Sequence, residues 1–188
     1  DMGESRNLFA LNLENGNLVF RNNGVKAVCD GNFADNDWHH VAVAVNRTSG
    51  RGQIYTDGKL NTYFEAQDLG GIAAAYIHLG ARVWTPADNA SQETVDNFFN
   101  GEIDEFRVWN LYKSETLVEN GNSNRLDGTE KGLLAYYPFE TYIEWQGTKE
   151  IQFSLKDQKQ QTDPTQTVAD AIAVGGNLET KATAPVKA

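Results

Sequence analysis

Asn97-Phe98-Phe99-Asn100-Gly101-Glu102-Ile103-Asp104-Glu105-Phe106-Arg107-Val108-Trp109-Asn110 is the stretch on which the fold turns. Its aromatic and β-branched residues favour an extended backbone. From Asp104 onward the side chains alternate, with Asp104, Phe106 and Val108 on one side and Glu105, Arg107 and Trp109 on the other. Ile103 falls on the side opposite Phe106. If both are buried together, the strand must shift phase at Asp104-Glu105, which a β-bulge accomplishes. The expectation is a long strand carrying two carboxylates at a kink.

Upstream, the period-two pattern recurs in short runs separated by turn residues. Leu8 to Leu13 alternates, Glu14-Asn15-Gly16-Asn17 turns, and Leu18 to Arg21 returns as the second half of a hairpin. Asn22-Asn23-Gly24 breaks again before a third short strand, Val25 to Cys29. Val41, Val43 and Val45 share a face with His39, while Trp38, His40, Ala42 and Ala44 lie opposite. The two histidines therefore cannot chelate one metal ion and are read as packing residues. Asp57-Gly58 is the strongest hairpin signal in the chain. Ala75 to Gly80 reads as a strand with Ile77 and Leu79 inward.

Alternation stops from Arg82 to Asn97. This connection gathers Trp84, Asp88, Asn89 and Asp96, so it is the candidate recognition loop. Downstream, Ser114 caps a short helix that ends at Gly121, ahead of an apolar run from Leu133 to Tyr142. Ile151 to Leu155 alternates as an edge strand, and Lys156 to Ala188 reads as a linker or strap. The expected core is Leu11, Leu13, Val41, Val43, Ile54, Ile77, Leu79, Phe106, Val108 and Phe139.

A chain of 188 residues holds one buried core and an extra segment, with the domain expected over 1–145 and an edge strand plus extended linker over 146–188. Apolar residues at 40% and aromatics at 11% exclude a disordered chain, and 17 glycines imply many turns. A net charge of -10 excludes non-specific binding to nucleic acid or to an anionic membrane surface, because both need a basic face. No apolar run approaches the ~18 residues that membrane insertion requires. Cys29 is the only cysteine, so no intrachain disulfide forms, and it is expected as a small buried residue. The ends read as those of a piece excised from something longer.

Gly101 to Asn110 resembles the closing-strand signature of laminin-G-like and pentraxin-like domains in the concanavalin A-like superfamily. Asp37-Trp38-His39-His40-Val41-Ala42 resembles the family's W-H-H-V-A strand, and Ile54 to Leu60 its Y-x-D-G-K hairpin. Gly132 to Glu140 is similar to a later strand of bacterial members. The resemblance implies an all-β, antiparallel two-sheet jelly-roll sandwich with one short helix, in a bacterial protein that is secreted or displayed at the cell surface. Family members carry one or two strands upstream of Leu8. The exposed N-terminal edge is therefore expected to be covered by Ile151 to Leu155 and the strap, or by another copy of the chain.

Three functions follow from the resemblance. Hydrolases of this fold carry E-x-D-x-E on one strand. Glu102 and Asp104 match the first two acids, but Phe106 stands at the third and Arg107 after it, so no proton donor remains at the required spacing. The chain is therefore expected not to be an enzyme. Arg82-Val83-Trp84 occupies the place of the pentraxin Glu-Gln-Asp calcium ligands and cannot replace their oxygens. The remaining reading is a non-catalytic module that binds a glycan or a surface protein through Trp84, Asp88, Asn89 and Asp96, with a structural spacer as the alternative. Asp104 resembles the position that holds one structural calcium, and a hydrogen bond to backbone or an ion pair with arginine is its other reading.

Overall fold

The computed structural model describes residues 9–22, 24–67, 69, 77–84, 94–112, 118, 125–139, 142–146, 151–155 and 171–173. Every ladder whose register is resolved is antiparallel, and among the described residues no helix is long and apolar enough to cross a membrane. The chain divides into two compact units, Asp1–Thr56 with Leu60–Ile103, and Asp57–Lys59 with Asp104–Ala188.

In the first unit, apart from Lys59 at the start of β6, β1 (Ala10–Glu14), β2 (Asn17–Asn22) and β3 (Val25–Val28) form one sheet in that order, and β4 (Val41–Asn46), β5 (Arg51–Thr56) and β6 (Lys59–Glu65) form another. The tight turns explain why. Asn15 and Gly16 between β1 and β2 both take positive φ (51° and 86°), as do Asp57 and Gly58 between β5 and β6 (51° and 77°). That backbone is the hairpin turn whose twist matches the flanking strands, and it favours Asn, Asp and Gly.

The two sheets share one core. Phe20, Ala27 and Cys29 from the first meet Ile54, Phe64 and Ala66 from the second, with Leu18, Val25, Val41, Val43 and Val45 packed around them. Phe20 and Phe64 stack at 4.5 Å. Pairing of Val43 with Ile54 and of Val45 with Gly52 puts the valine face inward, as the alternation predicts. The Asn61 side chain ties the sheets together: its Oδ1 accepts the Asp30 amide and its Nδ2 donates to the Asp30 carbonyl, each at 2.9 Å. A short hairpin, β7 (Arg82–Trp84) with β8 (Thr94–Asp96), completes the described strands of this unit.

The second unit holds β9 (Phe106–Trp109) paired with β10 (Leu133–Tyr137), and a separate sheet of β11 (Tyr142–Gln146), β12 (Ile151–Leu155) and β13 (Ala171–Ala173). Phe106, Val108 and Phe139 pack with Ala135 and Tyr137.

Several expectations are corrected. The long strand over 97–110 is only four residues, because Asn97 and Glu105 take left-handed φ of 51° and 56° that no continuous strand allows. Ile103 is exposed, so nothing forces a bulge at Asp104-Glu105; the bulge lies across the ladder, where β10 inserts Leu134 between the partners of Trp109 and Val108. Leu11 and Leu13 sit opposite Phe20 and Leu18, yet remain 38% and 36% exposed because β1 is the edge of its sheet among the described strands. Ile77, 61% exposed, and Leu79 lie outside any strand; the adjacent Gly80 has φ +79° and its carbonyl accepts the Phe99 amide.

Ile151–Leu155 is a strand, but it pairs with β11 and β13 rather than with the N-terminal edge. The strap expected after Lys156 contains β13. The short helix over 114–120 lies outside the described residues except for Val118, which is buried.

Candidate functional site

The expected recognition connection begins and ends in strands. Arg82 pairs with Asp96, Val83 with Val95 and Trp84 with Thr94. The Arg82 guanidinium forks onto the Asp96 carboxylate, donating from Nε at 2.7 Å to Oδ1 and from Nη2 at 2.6 Å to Oδ2. This bidentate geometry joins the two ends of the connection and raises the Arg82 pKa above its usual value, chiefly through the hydrogen bonds to Asp96. Each Asp96 oxygen thus already accepts one bond. Asp88, Asn89 and the Trp84 side chain lie outside the described residues.

The signature stretch contains a second polar arrangement. Glu105 takes left-handed φ just before β9, which swings its carboxylate onto the β9–β10 ladder, where Arg107 and Tyr136 are cross-strand partners. Arg107 Nη2 lies 2.6 Å from Glu105 Oε2, the Tyr136 hydroxyl donates to the same carboxylate at 2.8 Å, and the guanidinium lies 5.5 Å from the Tyr136 ring centroid. Burial first, and the bond to Glu105 second, push the Tyr136 phenol up to about 12.

The sign of that shift gives a test. The folded state holds the phenolic proton more tightly than the unfolded chain, whose value is 10.0, so this contribution is intact below pH 10 and is lost as pH rises toward about 12. Tyr136→Phe should be less stable than wild type at neutral pH, and the gap should narrow between roughly pH 9 and 12. A gap in urea midpoints that is constant with pH would contradict the assignment.

Asp104 stands just before β9, beside the left-handed Glu105. Its Oδ1 accepts the Glu105 amide at 2.9 Å, which stabilises the left-handed residue. Among the described residues no three His, Cys, Asp or Glu side chains are grouped so as to hold a metal. Glu102 is exposed, and Phe106, at the place of a third catalytic acid, packs beside Tyr137 at 6.3 Å between ring centroids. His39 also behaves as a packing residue: it meets Phe33 edge-on and lies 3.0 Å from Asp35 Oδ1.

Sequence reasoning passed over one surface. On β5 and β6, Gly52, Ile54 and Phe64 face the core, and a Cβ on Gly52 would run into the Phe64 ring. Alternation therefore turns Arg51, Tyr63 and Glu65 outward. Tyr63 is 56% exposed, Arg51 Cζ lies 5.8 Å from its ring centroid, and a depression of about 390 Å³ is lined by Arg51, Tyr63, Phe64 and Glu65. The available signal was Tyr63 and Glu65 at i and i+2 after the Asp57-Gly58 turn, two outward residues beside a buried one.

Residues 3–119 match a laminin G family model described as the concanavalin A-like lectin/glucanases superfamily. No curated protein matches the chain. Among solved structures, that of a candidate carbohydrate-binding protein from Bacteroides ovatus ATCC 8483 is similar at a TM-score of 0.45 and 16% identity, covering 81% of this chain and 45% of that one. The chain therefore spans less than half the length of that protein. With the family model matching well over half the chain on an all-β antiparallel framework, the chain belongs to the concanavalin A-like lectin/glucanases superfamily.

Proposed function

We propose that this chain is a non-catalytic carbohydrate-binding module of a protein displayed outside the cell. The observation that carries the reading is the use made of the acids in the signature strand. Glu105 is bound by Arg107 and Tyr136, Asp104 holds a backbone amide, and an aromatic residue occupies the third catalytic position. A glycosidase needs two carboxyl groups facing the scissile bond, one of them able to give up a proton, and the aromatic residue at the third position supports a non-catalytic reading. Superfamily membership supports a lectin-like alternative. The connection between β7 and β8, carrying Trp84, Asp88 and Asn89, supplies the contacts, with the Arg82–Asp96 pair as its clamp.

The test uses the full chain on a panel of neutral gluco-, galacto-, manno- and xylo-oligosaccharides, with reducing-end release assayed in parallel. Binding without release, lost in Trp84→Ala, is the expected result; release of reducing ends, or no binding across the panel, overturns the proposal. A calcium ion at Asp104 is a separate proposal whose missing oxygens would come from backbone carbonyls. The same titrations with calcium and with chelator address it, since a melting midpoint indifferent to both removes calcium.

A further inference from the structure

We infer that Arg51, Tyr63 and Glu65, on the outer face of β5 and β6, form a contact site for one pyranose ring of a neutral glycan, additional to the β7–β8 connection. The inference rests on the carbohydrate-binding reading above and locates a second place where that binding occurs.

An exposed tyrosine on a sheet face is ordinary by itself. Three features set Tyr63 apart. First, its ring is positioned: the Arg51 guanidinium stands 5.8 Å from the centroid, and strand neighbours in the buried layer fix the backbone beneath it. A ring held this way loses little side-chain freedom when a ligand stacks on it.

Second, polar groups stand beside it. Among the described residues neither the Arg51 guanidinium nor the Glu65 carboxylate has an ion-pair or hydrogen-bond partner, although both line the same depression. A carboxylate accepts from two adjacent hydroxyls and a guanidinium donates in a planar fork, so together they match the vicinal hydroxyls of a sugar whose C–H face lies on the tyrosine. Third, the depression, at about 390 Å³, falls in the range of small-molecule sites, and Phe64 joins the three outward residues in lining it.

The charge of the surroundings selects the sugar class. A net charge of -10, with Glu65 at the site itself, disfavours uronic, sialic or sulfated residues, while the single guanidinium is used as a hydroxyl donor. A neutral hexose or pentose remains.

Isothermal titration of the full chain with the neutral oligosaccharides of the panel tests the site, comparing wild type, Tyr63→Ala, Tyr63→Phe, Glu65→Gln and Trp84→Ala. Tyr63→Ala should weaken binding about tenfold and Glu65→Gln several-fold, while Tyr63→Phe stays within about twofold. Because the Tyr63 and Glu65 side chains are exposed, the melting midpoints of the variants at these two positions should stay at the wild-type value, which separates lost contact from lost fold. Binding lost in Trp84→Ala but unchanged in Tyr63→Ala and Glu65→Gln overturns this site and leaves the carbohydrate reading standing. Wild-type chain that binds no oligosaccharide overturns both. Equal weakening toward an acidic oligosaccharide, or preferential binding of one, overturns the assignment to neutral sugars.

Discussion

Glu105→Ala is expected to lower the unfolding free energy by about 3 kcal/mol, since it removes the carboxylate that pairs with Arg107 and accepts from Tyr136 in a largely buried position. The Glu105 and Arg107 side chains are only 20% and 14% exposed, so water restores little of what is removed. Glu105→Gly should be milder by about 1 kcal/mol, because glycine accepts the left-handed φ of 56° without the clash of a Cβ. Urea denaturation measures both, with an unchanged m-value as the sign that only stability has moved. Arg107→Ala in the Glu105→Ala background should cost much less than it does alone. Additive losses, or a Glu105→Ala loss under about 1 kcal/mol, would mean that the cluster is loosely held.

Phe64→Ala is the other large expected effect, at about 3–5 kcal/mol. The ring is 7% exposed, stacks on Phe20 at 4.5 Å, and fills the space above Gly52. Gly52→Ala alone should cost about 1–3 kcal/mol, because its Cβ would overlap that ring. In the Phe64→Ala background the same methyl enters vacated space, so its cost should vanish or turn into a small gain. Coupling of this sign distinguishes steric conflict from a general intolerance of alanine at position 52. Strictly additive midpoints in the four-way comparison would refute the packing described here.

What was legible in the chain was mostly turn chemistry and alternation. Asn15-Gly16 and Asp57-Gly58 announce hairpins because few other pairs adopt two consecutive positive φ angles, and Val41, Val43 and Val45 announce a buried face because the pleat leaves no choice. Phe106 and Val108 were placed inward for the same reason. Burial at edges was not legible. Leu11 and Leu13 point to the core side yet stay half-covered, because coverage depends on which strands lie beyond β1, a long-range property absent from local pattern.

Strand length was misread at Asn97 and Glu105, where β-prone composition conceals a left-handed residue. Of the expected site residues, Asp96 was identified as polar and important, but its engagement by Arg82 depends on cross-strand register, which no spacing rule reveals. The Arg51–Tyr63 pair depends on proximity across two strands in the same way. Asp104 illustrates the limit differently: one carboxylate fits a metal ligand and a backbone acceptor equally in sequence, and its bond from the Glu105 amide emerges only with the backbone in place.

The Arg82–Asp96 fork also bears on how this surface can diversify. By joining the strands on either side of residues 85–93, it makes the framework independent of what lies between them. Closing a longer segment onto the same clamp costs only about 0.6 kcal/mol for each doubling of its length, far less than a domain's total stability. Insertions and wholesale exchange between β7 and β8 are therefore thermodynamically cheap, whereas a change at Arg82 or Asp96 alters the anchor itself. A scaffold built this way can accept replacement of this loop while its sheets stay the same.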